Sequence, residues 1–141
     1  GSTPAHDWVN YPTMISAFVE RLKGVVIENR PAIDVMNAHD TIETLHYVDP
    51  PYVHETRNMK RGNAAYAHEM TDEDHTELAT ALNELKGMVV LSGYRCELYD
   101  QLFKDWTCIQ REAFADGAVK RVECLWLNPL AEKNQNQLSM F

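Results

Sequence analysis

The sequence predicts one α/β domain built on a mainly parallel sheet, closed at its C-terminal end by an antiparallel β-hairpin. Three observations lead there. Short aliphatic runs, Val25-Val26-Ile27, Leu45-His46-Tyr47-Val48 and Met88-Val89-Val90-Leu91, alternate with segments of helical apolar spacing, which is the pattern of strands joined by crossover helices. Asp116-Gly117 stands between two further strand-like runs and is a strong hairpin signal. A chain of 141 residues is long enough for one core and too short for two ordinary domains.

Each element has its own reason. Gly1-Ser2 reads as a tag remnant, and residues 3–12, with Trp8, Tyr11 and two prolines, read as an irregular lead-in. Met14, Ile15, Phe18, Val19 and Leu22 recur at helical spacing and predict a short amphipathic helix over 13–22. Gly24 stops it, and Val25–Ile27 follows as a buried strand. Pro31 suits the first turn of a helix through about Ala38. Residues 44–48 form the next strand. The segment 53–70 turns polar, with no apolar period, and reads as a long loop of the kind usually kept for function. Thr71-Asp72-Glu73-Asp74 is a capping box opening a helix that buries Leu78, Leu82 and Leu85. Gly87 ends it, and Met88–Leu91 is a strand broken at Ser92-Gly93-Tyr94. Leu98, Leu102 and Phe103 mark another helix to about Lys104, and strands over 106–114 and 119–127 form the hairpin. After Asn128-Pro129 the tail is polar and reads as loose, so the organisation is a lead-in over 1–12, a folded domain over 13–130 and a tail over 131–141.

Composition excludes several functions. The net charge of −8 and a pI near 5.1 do not suit a protein that simply coats nucleic acid, although they permit a locally basic site. Arg57, Lys60 and Arg61 form the one basic stretch of loop character. The longest apolar run is far below membrane-spanning length, and the N-terminus has no export pattern. A cytoplasmic protein without a membrane partner is expected. Cys96, Cys108 and Cys124 are odd in number and too widely spaced for a CxxC pair, so buried thiols are expected rather than a redox or zinc motif. No HExxH occurs, and no metal site is expected.

Asp49-Pro50-Pro51-Tyr52 is the segment with chemistry. Consecutive prolines fix φ near −65° and remove two N–H donors, so the chain turns away from the sheet and leaves acceptors for a ligand. An exocyclic amine could donate to the Asp49 carboxylate and the Pro50 carbonyl while its ring stacks on Tyr52. That describes a site for an amino-bearing planar base. The plainer alternative is a strand that merely turns with Pro-Pro. In sheets of this kind ligands bind beyond the carboxyl ends of the strands, where Asn29, Asp49 and Ser92 all fall.

Over about 21–129 the chain resembles the phage-type DNA adenine-N6 methyltransferases with an Asp-Pro-Pro-Tyr motif. The resemblance rests on Arg21–Arg30, His46–His54, Met88–Tyr94, Lys120-Arg121 and Leu125–Pro129. It implies a Rossmann-like methyltransferase sheet, S-adenosylmethionine as cofactor, DNA as partner and an adenine extruded from the duplex. Asp49, Pro50, Pro51 and Tyr52 then form the catalytic motif, while Asn29 and Arg30, with Asp49, border the cofactor. Arg57, Lys60 and Arg61 lie near DNA phosphates, or else are solvated surface charge. Lys120 and Arg121 read as a hairpin pair facing water.

The departures from the family are informative. Such enzymes carry a Phe-x-Gly-x-Gly loop after their first strand, an acidic residue on the second, and a target-recognition insertion, none of which occurs in this sequence. The resemblance therefore points to the C-terminal half of a catalytic domain, holding the target-base half of the active site and a partial cofactor site, and inactive alone. Such a half would expose sheet edges. The expected remedies are a separate chain bringing the N-terminal half, a homodimer, or pairing of Val25–Ile27 against residues 44–48. Two other readings stay open: a non-catalytic module binding DNA or a partner chain, and a methyltransferase of a glutamine amide or another base. The expected setting is the cytoplasm of a bacterium or a phage-infected host.

Overall fold

The computed structural model describes residues 4–56, 68–115 and 119–138. It divides into two compact units, residues 1–30 and residues 31–141.

The first unit is one long helix and an extended tail. Helix α1, Pro4–Leu22, takes in most of the segment expected to be irregular. Pro4 stands at its first position, where a missing N–H costs nothing, and only Pro12 lies inside it. Trp8 and Tyr11, one turn apart, meet edge to face at 5.5 Å. The Val25 N–H closes on the Leu22 carbonyl at 3.0 Å, and Gly24 adopts φ of 81°, a left-handed conformation that ends the helix. The expected strand over Val25–Ile27 does not form, and Ile27 is 89% exposed. The reason is local: among its described residues this unit holds no other strand, so within it a β-branched run finds no ladder to join. The proposed pairing of this run with residues 44–48 is likewise absent from the sheet.

The second unit is the α/β body. Helix α2 spans Ala32–His39 and strand β1 Leu45–Val48; a single 3₁₀ turn occupies His54–Thr56. Helix α3 spans Asp72–Glu84, β2 Met88–Tyr94, α4 Glu97–Leu102, β3 Thr107–Ala115, β4 Val119–Leu127 and α5 Pro129–Leu138. The α/β class holds, and the hairpin forms from the two expected runs. Its turn at Asp116-Gly117 lies outside the described residues. The strand order is β1-β2-β4-β3, with β1 and β2 parallel and β4 antiparallel to both of its neighbours. Parallel pairing is thus confined to β1 and β2 among the described residues. The hairpin places its second strand against β2 and its first at the edge.

Strand β2 does not break at Ser92-Gly93-Tyr94. It continues to Tyr94, because Ser92, Gly93 and Tyr94 find partners in Leu125, Cys124 and Glu123. Nor is the tail loose from residue 131: α5 packs against β2 and β4, with Ala131 buried.

The main core lies where α3 and α4 meet β2 and β4. The capping box forms as expected, the Thr71 hydroxyl accepting from the Asp74 N–H at 3.2 Å and the Asp74 carboxylate from the Thr71 N–H at 2.8 Å. From that cap α3 buries His75, Leu78, Ala79 and Leu82 along one face. These pack with Val89, Leu91, Tyr99, Phe103, Cys124 and Trp126. Tyr99 meets Trp126 edge to face at 5.1 Å. Burial raises the Tyr99 phenol well above its ordinary value; it stays protonated, and its hydroxyl is hydrogen-bonded with His75 Nδ1 at 3.0 Å.

Two side chains tie the amino ends of β1 and β2 to their surroundings. The Asp40 carboxylate accepts from the backbone N–H groups of Lys86 and Gly87, at 2.8 and 2.9 Å, and from His46 Nε2 at 3.1 Å. These bonds, the Lys86 N–H foremost, hold its pKa below the ordinary 3.8. Asn128 accepts from the N–H groups of Val89 and Ala131, at 3.1 and 2.9 Å, and donates to the Gly87 carbonyl at 2.9 Å. It thereby caps α5 and clamps β2 at once. Gly87 must be small: a Cβ there would lie 2.7 Å from the Thr44 carbonyl oxygen and 2.9 Å from that of Thr41.

Candidate active site at the carboxyl ends of β1 and β2

The parallel register that sets Val48 beside Leu91 brings the next residues, Asp49 and Ser92, side by side. The Ser92 hydroxyl donates to Asp49 Oδ1 at 2.7 Å. Ser92 is buried, whereas Asp49 is exposed, so a fixed donor at the strand end holds a carboxylate that still reaches solvent. Among the described residues Asp49 Oδ2 has no hydrogen-bond partner. The Pro50 carbonyl likewise accepts no backbone hydrogen bond from them.

The far end of the motif is fixed by packing. Val53 is buried in the main core, and its carbonyl accepts from both the N–H and the hydroxyl of Thr56, at 3.1 and 2.7 Å. Between these anchors the chain arches through Pro50, Pro51 and Tyr52, all half-buried. The Tyr52 ring meets Tyr94 edge to face, with centroids 4.7 Å apart and planes at 69°.

Asp49, Pro50, Pro51 and Tyr52 are therefore gathered in one place, beside Ser92 and Tyr94, which no motif in the sequence marks as site residues. In the sequence Ser92 stands only at a strand end, and Tyr94 only in the expected break. Read as a continuing strand, alternation would have set Ser92 and Tyr94 on one face of β2 beside the motif. Asn29 and Arg30 lie in the first unit, both exposed, with the Arg30 guanidinium 2.9 Å from Glu28. Arg57, Lys60 and Arg61 lie outside the described residues, as do the side chains of Lys120 and Arg121.

Cys96, Cys108 and Cys124 are free thiols. Burial, with Cys108 adding to it, pushes the Cys124 thiol up to about 11, and burial also raises Cys96, so neither is a thiolate near neutral pH. Among the described residues no group of three or more His, Cys, Asp or Glu is placed to hold a metal ion. None of the described helices is long and apolar enough to cross a membrane.

An arched Asp-Pro-Pro-Tyr with one carboxylate oxygen fixed and the other open offers acceptors that an amine could meet. The model of the family described as D12 class N6 adenine-specific DNA methyltransferase matches residues 11–116. The chain belongs to this family. The match runs from the middle of α1 through α2, β1, the motif, α3, β2, α4 and β3 of this D12-class chain and ends before β4, so the stretch from Lys120 to Pro129 lies beyond it. No curated protein matches the sequence.

Family membership raises the question of S-adenosylmethionine. Of the residues expected to border it, Asn29 and Arg30 belong to the first unit, the latter engaged with Glu28, and Asp49 belongs to the second, with one oxygen on Ser92.

Proposed function

We propose that this chain carries the target-base half of a DNA adenine-N6 methyltransferase site and is inactive alone. In this reading the N6 amine of an extruded adenine donates to Asp49 Oδ2 and to the Pro50 carbonyl. Acceptance of those hydrogens keeps electron density on the nitrogen that must attack a methyl group. Tyr52 stacks on the ring. Base–aromatic stacking is worth about 1–3 kcal/mol, which offsets much of the few kcal/mol that unstacking costs. The single observation behind the reading is the Ser92–Asp49 hydrogen bond at 2.7 Å, which orients the carboxylate at the end of a parallel strand pair in a chain of this family. Arg57, Lys60 and Arg61 would meet DNA phosphates.

The methyl donor of the family is S-adenosylmethionine, and a complementary half would have to complete its holder. Among the described residues no strand pairs with the outer edge of β1, and Leu45 and Tyr47 on it are 61% and 65% exposed. An edge of that kind invites another strand, from a separate N-terminal half or from a second copy.

Methyl transfer from labelled S-adenosylmethionine to adenine-containing DNA tests the proposal. The chain alone should give none, and addition of a chain with the Phe-x-Gly-x-Gly strand and loop should restore turnover. Efficient transfer by the chain alone would refute the half-site reading; failure of every cognate half would refute complementation. The open β1 edge also favours a second reading, a non-catalytic partner-binding module. A tight complex with such a half, with no transfer and no preference for adenine, would select it.

A further inference from the structure

We infer that β2 supplies two positioning residues for the motif, with separable roles: Ser92 sets the Asp49 carboxylate, and Tyr94 sets the Tyr52 ring. The inference rests on the reading of Asp49 as the amine acceptor and goes beyond it, by naming what gives that acceptor its direction. Strand alternation puts Ser92 and Tyr94 on one face of β2, and the pairing of β2 with β4 continues through both of them. They are therefore rigid where the motif, an arch through two prolines, is not part of the sheet.

The two contacts differ in kind. A serine hydroxyl 2.7 Å from Asp49 Oδ1 makes a charge-assisted hydrogen bond, short and directional. It fixes the rotation of the carboxylate and assigns one oxygen to the protein, so that the other is presented to a donor. Without it the carboxylate remains an acceptor but samples several orientations, and its discrimination for an amine at one point in space falls. Tyr94 touches the edge-to-face partner ring 4.7 Å away. It limits the tilt of Tyr52, so its loss should weaken stacking for any base, with or without an amine.

Two probes separate these roles. One is a thymine-rich single strand carrying one adenine; the other is the same strand with unsubstituted purine, which stacks but lacks the amine. Their dissociation constants for the full chain are read by fluorescence anisotropy. For the unaltered chain we expect about a tenfold preference for adenine, the size of a hydrogen bond to a charged acceptor. Ser92→Ala should lower the preference to about threefold with little change in purine binding, and Ser92→Thr, which keeps the hydroxyl, should restore it. In an Asp49→Ala background Ser92→Ala should have no further effect, because Ser92 acts through Asp49. Tyr94→Leu should weaken both strands equally, by about three- to tenfold, and leave the preference intact.

The outcomes divide cleanly. Absence of any adenine preference in the unaltered chain removes the acceptor reading and this inference together. Preference in the unaltered chain that survives Ser92→Ala undiminished overturns the inference for Ser92 alone. A change in preference with Tyr94→Leu, or none in affinity, overturns it for Tyr94. Thermal melts of each variant, expected to match the parent within a few degrees, separate these effects from loss of fold.

Discussion

The two ends of the β1–β2 pair are built on opposite principles. At the amino end every strong group is matched inside the protein: Asp40 accepts from two backbone N–H groups and His46, and Asn128 makes three bonds that join β2 to the start of α5. At the carboxyl end the chain withholds matches. Pro50 and Pro51 have no N–H to give, Asp49 has one oxygen on Ser92, and its other oxygen has no partner among the described residues. Saturated polar groups make a framework, because breaking any bond strands a buried partner. Groups left open make a site, since a ligand can satisfy them. The same two strands serve both purposes only because the clamp at one end fixes the register that brings Asp49 to Ser92 at the other.

The contrast is broken most severely at Asn128. Truncation in Asn128→Ala leaves the Val89 N–H and the Gly87 carbonyl without their side-chain partner and uncaps α5. The expected cost is about 3 kcal/mol or more, measured by urea unfolding. A cost below about 1 kcal/mol would mean that water replaces the side chain and that this end is no clamp. Gly87→Ala comes next. Its new Cβ would press on two backbone oxygens, at 2.7 and 2.9 Å, which cannot rotate away as a side chain could. About 1–3 kcal/mol of destabilisation is expected, as for overpacking elsewhere.

Much of this was legible in the sequence, and the failures share a cause. The capping box at Thr71, the hairpin strands and the motif could be read because each is specified locally, by residue types at fixed spacing. Val25–Ile27 and the continuation of β2 could not, because a strand exists only if another strand pairs with it. Val25-Val26-Ile27 has the stronger β-propensity and no partner; Ser92-Gly93-Tyr94 has the weaker and finds β4. The supports of the site were hidden for the same reason. Asp40 reaches Lys86 and Gly87, Asn128 reaches Gly87 and Val89, and Ser92 reaches Asp49, all across long stretches of sequence. Only the β1–β2–β4 pairing brings such residues together.

A pH-dependent effect should mark Asp40. Its carboxyl is held below 3.8 in the folded chain, first by the Lys86 N–H and then by His46 and Gly87; Asp74 is likewise held low, first by the Thr71 N–H. A depressed folded pKa gives stability that is present above the unfolded value and lost as pH falls through the folded one. The unaltered chain should therefore lose stability as pH drops below about 4. Asp40→Asn should be less stable at pH 7, where an amide offers one acceptor oxygen in place of two, and should show a shallower loss in acid, with the Asp74 contribution remaining. Urea midpoints at pH 7 and pH 3 measure both. An equal acid loss in the variant would show that Asp40 is not part of the framework.

The smallest effect on stability should come from the residue with the largest proposed effect on function. Asp49 is exposed, and its removal in Asp49→Ala takes one acceptor from Ser92 and strands no backbone group. The Ser92 hydroxyl can turn to another acceptor or to water, so the expected change is about 1 kcal/mol or less. The adenine preference, by contrast, should vanish. That pairing of a near-neutral melt with a lost discrimination is what an open site predicts and a framework residue cannot produce. Should Asp49→Ala cost as much as Asn128→Ala, the carboxyl end would be a second clamp, with Ser92 and Asp49 bonded to hold the turn rather than to aim a carboxylate at a base.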